Sequence, residues 1–294
     1  MKCGFVSIIG RANVGKSTLL NSILECHLSI TSPVSGTTRN IIQGIYNDDD
    51  SQIIFLDTPG IHKAINRLGR ILNKQATSMF KDTDLILFVV DAYAGIGKGD
   101  NLIIEYLKAT DIPVILILNK IDKLNNEQIF EAINTYKDLY SFAEIIPISA
   151  KENDNIERVI DLIKKYLPEG IKYFGDDSIT NSSKYFMISE YVREKLFQYL
   201  TQEIPHSITC VTNLYEEKDD IINVGVDIIV DRDSLKKIVI GENGSLIKQV
   251  GIEARKDIEE LLGKKIYLEL YVKTIKNWRE KESILKELGL VENE

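Results

Sequence analysis

Apolar residues follow two different patterns along the chain, and the change falls near residue 168. Before it, short continuous apolar runs alternate with segments in which apolar residues recur every three or four positions. Continuous runs are typical of strands buried on both faces of a parallel sheet, and the longer period is typical of helices. The pattern predicts strands over residues 5–9, 85–90, 114–118 and 145–148, and helices over residues 16–24, 65–80, 101–109, 127–141 and 156–166.

The remaining apolar segments before residue 168 complete one domain. Segments 41–46 and 52–56 flank the polar run 47–51 and predict a hairpin. Strands that alternate with helices favour a doubly wound, mostly parallel α/β sheet, in which ligands bind at the carboxyl ends of the strands. We therefore predict such a domain over residues 1–170.

The chain after residue 168 predicts a smaller α+β domain over residues 182–294. Residues 171–181 mix Gly, Asp, Ser and Thr without a period, which predicts a linker. A helix capped by Ser182 or Ser183 follows to about residue 200, and its apolar face carries Ile188, Val192, Leu196 and Tyr199. Strands are then predicted over 207–215, 221–230 and 265–273, with helices near 235–239 and up to about 262.

Composition narrows the class of protein. Hydrophobic residues make up 44% and charged residues 27% of the chain, as in ordinary soluble domains. Cys3, Cys26 and Cys210 lie far apart and form no disulfide or zinc spacing, which fits a reducing compartment. No apolar run reaches the ~18 residues of a membrane span, and the N-terminus leads into a predicted strand without a secretory signal. We expect a cytoplasmic protein, with peripheral membrane contact left open.

The charge distribution changes this picture near the C-terminus. The net charge of −8 by itself disfavours nucleic acid as a partner. Residues 235–281, however, hold 11 Lys and Arg against 7 Asp and Glu. A surface for a polyanion is therefore expected in this part of the chain.

A glycine-rich segment lies between the first predicted strand and the first predicted helix. Residues 10–17, GRANVGKS, fit the phosphate-binding pattern G-x-x-x-x-G-K-[ST]. The glycines let successive backbone N–H groups face one phosphate, and the N-terminus of the next helix favours an anion. In this pattern the lysine reaches the outer phosphates and the final hydroxyl ligates Mg²⁺. The predicted phosphate-binding residues here are Gly10, Asn13, Val14, Gly15, Lys16, Ser17 and Thr18.

A second polar segment, Asp57-Thr58-Pro59-Gly60, follows the strand predicted over residues 52–56. An aspartate at this place can hold Mg²⁺, usually through water, and the Gly60 N–H can sense a γ-phosphate. A simple Pro-Gly turn is the alternative. The phosphate-binding pattern at residues 10–17 argues against that alternative.

Two further polar segments follow the next strand ends and point to the base. A carboxylate such as Asp122 accepts from both the N1–H and the exocyclic amine of guanine, and adenine offers no such donor pair. Backbone N–H groups at residues 149–151 can meet the guanine O6. The nucleotide is therefore predicted to be GTP, and the guanine-binding residues are Asn119, Lys120, Asp122, Ser149, Ala150 and Lys151.

Together these segments resemble the G motifs of translation-factor-type GTPases. The resemblance implies a threonine, in the loop after the first helix, that binds Mg²⁺ and the γ-phosphate. Thr38 fits best and Thr37 is a close second, with plain β-propensity as the alternative for both. The predicted Mg²⁺ ligands are Ser17, Thr38 and Asp57.

Hydrolysis is expected to differ from that of Ras-like proteins, which place a water-orienting glutamine directly after the glycine of this motif. Ile61 stands there and cannot bond water. Similar GTPases with an asparagine at position 13 use its side chain to hold K⁺ beside the phosphates, where an arginine finger would otherwise sit. The resemblance implies slow, K⁺-stimulated hydrolysis with Asn13, Lys16, Thr38 and Gly60 as catalytic residues. The alternative is that Asn13 only caps the loop.

The predicted order α-β-β-α-α-β, with G-x-x-G at residues 241–244 between two helices, resembles a type II KH domain. In such domains the loop lets a nucleic-acid backbone approach closely, and an apolar groove receives the bases. The predicted RNA-binding residues are Ile240, Gly241, Glu242, Asn243, Gly244, Lys248, Arg255 and Lys256.

Some of these assignments have alternatives. Ile240, Ile247 and Val250 could line the groove or belong to the core, and the three cations could lie on a solvated helix face. Glu242 departs from the family pattern, which often has a basic residue there, and is expected to repel phosphates.

The G motifs and the KH pattern resemble the Era family of bacterial GTPases over essentially the whole chain, including residues 189–196, 239–244 and 252–257. The resemblance implies binding to the 3′ end of small-subunit (16S) ribosomal RNA and a role in 30S subunit assembly. It also implies GTP as substrate, Mg²⁺, and a monomer in the cytoplasm with peripheral membrane association. The residues alone indicate a GTP-switched, RNA-binding protein. A signalling GTPase whose KH-like domain binds protein or membrane is the alternative.

Overall fold

The computed structural model describes residues 1–32, 34, 36–61, 66–78, 83–201, 204–288 and 290. It divides into two compact units, of which the first holds nearly all residues up to Asn181 and the second those from Ser182 onward. Within the described ranges, none of the helices has both the length and the apolar character needed to cross a membrane.

The first unit is built on a six-stranded sheet. Its strands are β1 (Lys2–Ile9), β2 (Ile42–Asn47), β3 (Ser51–Asp57), β4 (Leu85–Asp91), β5 (Val114–Asn119) and β6 (Glu144–Pro147). They lie in the order β2-β3-β1-β4-β5-β6, and only β2 runs antiparallel to its neighbour. The predicted hairpin and mostly parallel sheet are confirmed.

Helices cover both faces of this sheet. They are α1 (Lys16–Leu24), α2 (Arg67–Ser78), α3 (Lys98–Leu107), α4 (Asn126–Lys137) and α5 (Ile156–Tyr166). Alternate residues of β4 and β5, such as Phe88 and Leu116, form a core with Ala76, Ile103 and Tyr136 of α2, α3 and α4. The residues between them are also fully buried. Burial on both faces explains the continuous apolar runs. The ends predicted for α2, at residues 65 and 79–80, lie outside the described ranges.

The second unit combines one sheet with four α-helices among its described residues. Its elements are α6 (Lys184–Tyr199), β7 (Ile208–Glu217), β8 (Ile221–Val230), α7 (Asp233–Ile240), α8 (Ser245–Leu262), β9 (Lys265–Thr274) and α9 (Glu282–Glu287). The sheet order is β7-β8-β9, with β7 antiparallel and β9 parallel to β8. The predicted order α-β-β-α-α-β is confirmed, and the short α9 was not predicted.

Helix α6 differs from the one-sided amphipathic helix that its sequence predicts. Tyr199, placed on the apolar face, is 41% exposed, and its hydroxyl donates to Glu253. Arg193 and Glu190 are buried instead, and the Arg193 Nε donates to Glu190 Oε1 at 2.7 Å. The helix is therefore buried around most of its circumference. Charged residues conceal this in the sequence, because a buried ion pair satisfies its own charges.

The segment predicted as a linker, residues 171–181, lies along β2 in the first unit. The Gln52 side-chain oxygen accepts from the N–H groups of Tyr173 at 2.7 Å and Phe174 at 3.0 Å, and its amide donates to the Phe174 carbonyl at 2.9 Å. Further along, the Ile45 N–H donates to the Ile179 carbonyl at 2.8 Å. Residues 171–181 therefore pack on the first unit through hydrogen bonds of their backbone groups, which leave no pattern in the sequence.

Candidate nucleotide and nucleic-acid sites

The phosphate loop joins the end of β1 to the start of α1 and folds around its own lysine. Lys16 is buried, and its Nζ donates to the carbonyls of Gly10 at 3.1 Å and Arg11 at 3.0 Å. Burial lowers the pKa of Lys16 to about 8, although the nearby Asp57 carboxylate partly offsets the effect. Bound phosphates would add negative charge and hold this amine protonated.

The segments predicted to bind guanine are hydrogen-bonded to the phosphate loop. The Asn119 Nδ2 donates to the Val14 carbonyl at 2.8 Å, and a Cβ on Gly15 would lie 2.3 Å from that nitrogen. Only glycine allows so close an approach at this position. Lys120 donates to the Asn13 carbonyl at 2.7 Å. The structure thus brings together residues that lie more than a hundred positions apart in the sequence. Thr18 is half-buried in the first turn of α1.

The three predicted Mg²⁺ ligands meet at one place. The Ser17 hydroxyl donates to Asp57 Oδ2 at 2.7 Å and lies 3.1 Å from the Thr38 hydroxyl. Ser29 also donates to Asp57 Oδ2, at 2.8 Å. Thr37 is buried next to Thr38, and it is Thr38 whose hydroxyl meets Ser17.

Asp57 carries an atom suited to a hard cation. The carboxylate is buried, and its Oδ1 has no hydrogen-bond partner among the described residues. Burial raises the pKa of Asp57, while Lys16 and the Ser17 and Ser29 hydroxyls favour its ionised form. An unpaired carboxylate oxygen beside two hydroxyl oxygens fits Mg²⁺, which prefers oxygen ligands.

Gly60 lies directly against the phosphate loop. A Cβ at this position would lie 2.8 Å from the Ala12 nitrogen, so only glycine fits. The next residue, Ile61, is 1% exposed and its N–H donates to the Gly10 carbonyl at 3.4 Å. Its side chain belongs to the core and cannot orient a water molecule.

The two segments predicted to bind guanine also contact each other. The Ser149 hydroxyl donates to Asp122 Oδ1 at 2.7 Å, and the Ala150 N–H donates to Asn119 Oδ1 at 3.0 Å. The Ala150 N–H, one of the backbone groups of residues 149–151 considered for guanine O6, therefore connects the two segments here. Lys151 is exposed and pairs with Glu152 at 2.6 Å. Asp122 is exposed, so its carboxylate is accessible to a base.

Three residues that support the site were missed from the sequence. Asp91 accepts from Lys120 at 2.6 Å, and because it ends β4 at the carboxyl edge of the sheet, the rule used for the other motifs could have found it. Ser29 holds Asp57. Asn21 in turn accepts from the Ser29 N–H at 2.8 Å. Neither of the latter two lies in a recognisable motif.

The second glycine loop joins α7 to α8 and is exposed. Gly241 and Gly244 both have left-handed backbone, with φ of 77° and 75°. Glu242 and Asn243 are exposed between them. Ile240 and Ile247 are half-buried beside the loop, whereas Val250, the third groove candidate, is fully buried and belongs to the core.

The cations of α8 are available for a ligand. Lys248, Arg255 and Lys256 are exposed, and within the described ranges none of them forms an ion pair. Three of the four acids of α8 contact other side chains: Glu253 accepts from Gln249 at 2.7 Å, and Asp257 and Glu259 pair with Lys195 at 2.5 Å and Lys265 at 2.9 Å, while Glu260 is exposed. This arrangement favours a basic surface over a balanced, solvated face.

Comparisons with known proteins cover both units of the chain. A family profile described as "50S ribosome-binding GTPase" matches residues 5–120, and one described as "KH domain" matches residues 203–279. The GTPase Era of Clostridium kluyveri is 46% identical over 290 residues, which cover 98% of this chain and 99% of that protein.

Two solved structures are similar over nearly the whole chain. One is a variant of Aquifex aeolicus Era bound to GDP and AlF4⁻, with a TM-score of 0.96, 38% identity and coverage of 99% of this chain and 100% of that one. The other is Era in complex with MgGDPNP and nucleotides 1506–1542 of 16S ribosomal RNA, with the same TM-score, 0.96, identity, 38%, and coverage, 99% and 100%.

Proposed function

The chain belongs to the Era family of GTPases, and on this basis we propose that it binds the 3′ end of 16S ribosomal RNA and acts in 30S subunit assembly. GTP binding and hydrolysis in the first unit would switch RNA binding in the second. The observation that carries the proposal is that one chain combines a G-motif site with an exposed glycine loop beside cations of α8 that form no ion pair with any described residue. A relative of the same fold is solved with 16S nucleotides.

Mg²⁺ would be held by Ser17, Thr38 and Asp57, whose oxygens already lie together. When bound, Mg²⁺ neutralises charge on the β- and γ-phosphate oxygens. The chain's own contribution is positioning. Lys16 places a buried cation inside the phosphate loop. Gly60 packs against Ala12 of that loop, and its N–H would face the γ-phosphate.

The γ-phosphate would act as the switch through the loops that contain Thr38 and Gly60, since order and disorder of such loops is a common GTPase device. We expect RNA to bind about tenfold more tightly with GDPNP than with GDP, within the usual range of coupling between two sites. Fluorescence anisotropy of an RNA spanning nucleotides 1506–1542 measures both affinities. Equal affinities would remove the switch and leave RNA binding in place.

We further propose that hydrolysis is slow and stimulated by K⁺. Two observations support this: Ile61 is buried and cannot orient water, and Asn13 is exposed at the rim of the phosphate loop with a left-handed φ of 65°. An amide oxygen is a suitable ligand for an alkali cation. Such a cation would stabilise charge that develops on the phosphates.

The Asn13→Ala variant should therefore lose its K⁺ stimulation, with hydrolysis in K⁺ falling about tenfold or more to the rate in Na⁺. Hydrolysis rates in matched KCl and NaCl test this. Asn126→Ala, at an exposed asparagine of α4, is the control and should keep the stimulation. A variant lacking Asn13 that still responds to K⁺ would place the cation elsewhere.

Glu242 should weaken RNA binding, because its exposed carboxylate lies in the loop that a phosphate backbone would approach. Glu242→Lys is expected to tighten RNA binding several-fold and to steepen its salt dependence by about one phosphate contact. Titrations between low and high KCl measure both changes. Glu260→Lys makes the same charge change at an exposed position near the other end of α8 and should have a smaller effect. Equal effects of the two variants would show that only overall charge matters.

The acidic residue Glu242 in this loop also supports an alternative, a signalling GTPase whose KH-like unit binds protein. That alternative predicts that the wild-type chain and the Glu242→Lys variant both fail to bind single-stranded RNA.

Family membership leads us to propose a monomer in the cytoplasm with peripheral membrane contact, which cell fractionation and sedimentation would test.

A further inference from the structure

The side chain of Arg11 leaves the phosphate loop and enters the loop that joins β4 to α3. Its Nη2 donates to the Gly95 carbonyl at 3.0 Å, and its Nε lies 3.2 Å from Asp100 Oδ2. The Asp100 side chain is fully buried and that of Arg11 is 26% exposed. This ion pair connects the second residue of the phosphate loop to the first turn of α3.

The receiving loop is shaped around the guanidinium group. A Cβ on Gly97 would lie 2.9 Å from Arg11 Nη1, and a Cβ on Gly99 would lie 3.2 Å from Arg11 Cβ. Asp100 Oδ2 also accepts from the Gly97 N–H at 2.8 Å, which closes the N-terminus of α3. These features indicate that the loop accommodates the Arg11 side chain at a defined position, whereas an arginine directed into solvent would not require them.

Asp100 depends on this partner. Burial raises the pKa of its carboxyl, while the Gly97 N–H and the charge of Arg11 oppose that shift. Asp100 Oδ1 has no hydrogen-bond partner among the described residues. A carboxylate buried to this extent needs a cation, since removing one member of a buried pair leaves an uncompensated charge.

The same β4–α3 loop holds the phosphate loop at a second point. Asp91, at the start of this loop, accepts from Lys120 at 2.6 Å, and Lys120 donates to the Asn13 carbonyl at 2.7 Å. Residues 11 and 13 of the phosphate loop are therefore both connected to the β4–α3 loop, residue 11 directly and residue 13 through Lys120. Gly60 lies against Ala12, the residue between them.

We propose that the Arg11–Asp100 pair positions residues 11–13 of the phosphate loop for GTP hydrolysis. Residues 11–13 include Asn13 and contact Gly60 through Ala12. Asn13 and Gly60 are the groups expected to act on the reacting phosphate. The groups that bind the nucleotide more generally, Lys16, Ser17 and Asp122, lie outside this segment. Arg11 and Asp100 are thus positioning residues that affect the rate of the chemical step more than affinity. The inference rests on the hydrolysis step of the proposed function and is independent of RNA binding.

The test uses the full chain with Arg11→Met, Arg11→Lys, Asp100→Asn and the Met–Asn double variant. We expect kcat to fall about 10- to 100-fold in Arg11→Met and Asp100→Asn, with KM changed less than about threefold, as for misplaced catalytic groups. The double variant should be no slower than either single variant, because both remove one interaction. Arg11→Lys should be intermediate, since one ammonium cannot reach Gly95 and Asp100 together in the way a guanidinium does.

Arg158→Met, at an exposed arginine of α5, is the matched control and should hydrolyse GTP at the wild-type rate. Thermal unfolding and GDPNP affinity, measured on every variant, separate positioning from loss of structure. The inference is overturned if folded Arg11→Met or Asp100→Asn keeps the wild-type kcat, or if the two losses multiply in the double variant. It is also overturned if GDPNP affinity falls by the same factor as kcat, because the pair would then support nucleotide binding and not the chemical step. RNA affinity in the same variants reports on the proposed function separately and should stay unchanged.

Discussion

Replacing Asp122 by asparagine should convert the protein from a guanine to a xanthine nucleotide binder. Asp122 Oδ1 accepts from the Ser149 hydroxyl at 2.7 Å. An asparagine can keep that hydrogen bond with its amide oxygen, which turns its NH₂ group toward the base. The N1–H and exocyclic amine of guanine would then face another donor. Xanthine has a carbonyl oxygen in place of that amine and would accept from the new NH₂ group.

The expected effect is large, because a site that hydrogen-bonds its ligand discriminates strongly against a ligand whose polar groups no longer match it. GTP affinity should fall about 1,000-fold, and XTP should bind the variant with an affinity near that of GTP for the wild type. Competition of GTP, XTP and ATP against a fluorescent nucleotide measures this. Asp154→Asn, at an exposed carboxylate nearby, is the control and should retain the preference for GTP. A variant at position 122 that still prefers GTP would show that Asp122 does not read the base.

The second large effect is expected at Gly244, where an aspartate should reduce RNA affinity about 100-fold. The exposed backbone of the loop would no longer be open to a nucleic-acid chain, and the new carboxylate would repel its phosphates. The fold should tolerate the change. A Cβ on Gly244 meets nothing within 4 Å in the described part of the chain, and aspartate accepts the left-handed backbone, with φ of 75° and ψ of 15°.

The chain offers a matched control for this variant. Gly263 ends α8 with nearly the same backbone, φ of 63° and ψ of 14°, and an equally open Cβ position. Gly263→Asp should therefore bind RNA as the wild type does, and Gly244→Asn should separate the effect of bulk from that of charge. Anisotropy with RNA and with a fluorescent GTP analogue measures both sites. Wild-type RNA affinity in Gly244→Asp would move the RNA site away from this loop.

The nucleotide site was predictable from the sequence because its chemistry is local. The phosphate loop and the segments that begin at Asp57, Asn119 and Ser149 each follow an apolar strand, and the carboxyl ends of neighbouring parallel strands meet at one edge of the sheet. That rule placed Ser17, Asp57 and Asp122 without any knowledge of long-range contacts. It would also have found Asp91, the partner of Lys120.

The residues that support the site were not predictable, because their roles depend on contacts distant in sequence. Ser29, in the loop after α1, donates to Asp57, and Asn21 of α1 accepts from the Ser29 N–H; no motif marks either role. Arg11 and Asp100 look like ordinary solvated charges until α3 is placed beside the phosphate loop.

The second unit shows the same limit. The periodicity of α6 concealed the burial of Arg193, and the acids of α8 concealed how exposed its cations are. The acids suggested a balanced face, yet in the fold two of them, Asp257 and Glu259, pair with Lys195 and Lys265 of other elements.

The most direct test of the whole account is to crosslink the protein to RNA in cell extract and to sequence the RNA it holds. Wild-type protein and Gly244→Asp should be compared side by side in the presence of GDPNP. The account predicts that crosslinked reads from the wild type concentrate at the 3′ end of 16S ribosomal RNA and are lost in the variant. Reads spread evenly over cellular RNA, or unchanged in Gly244→Asp, would contradict it.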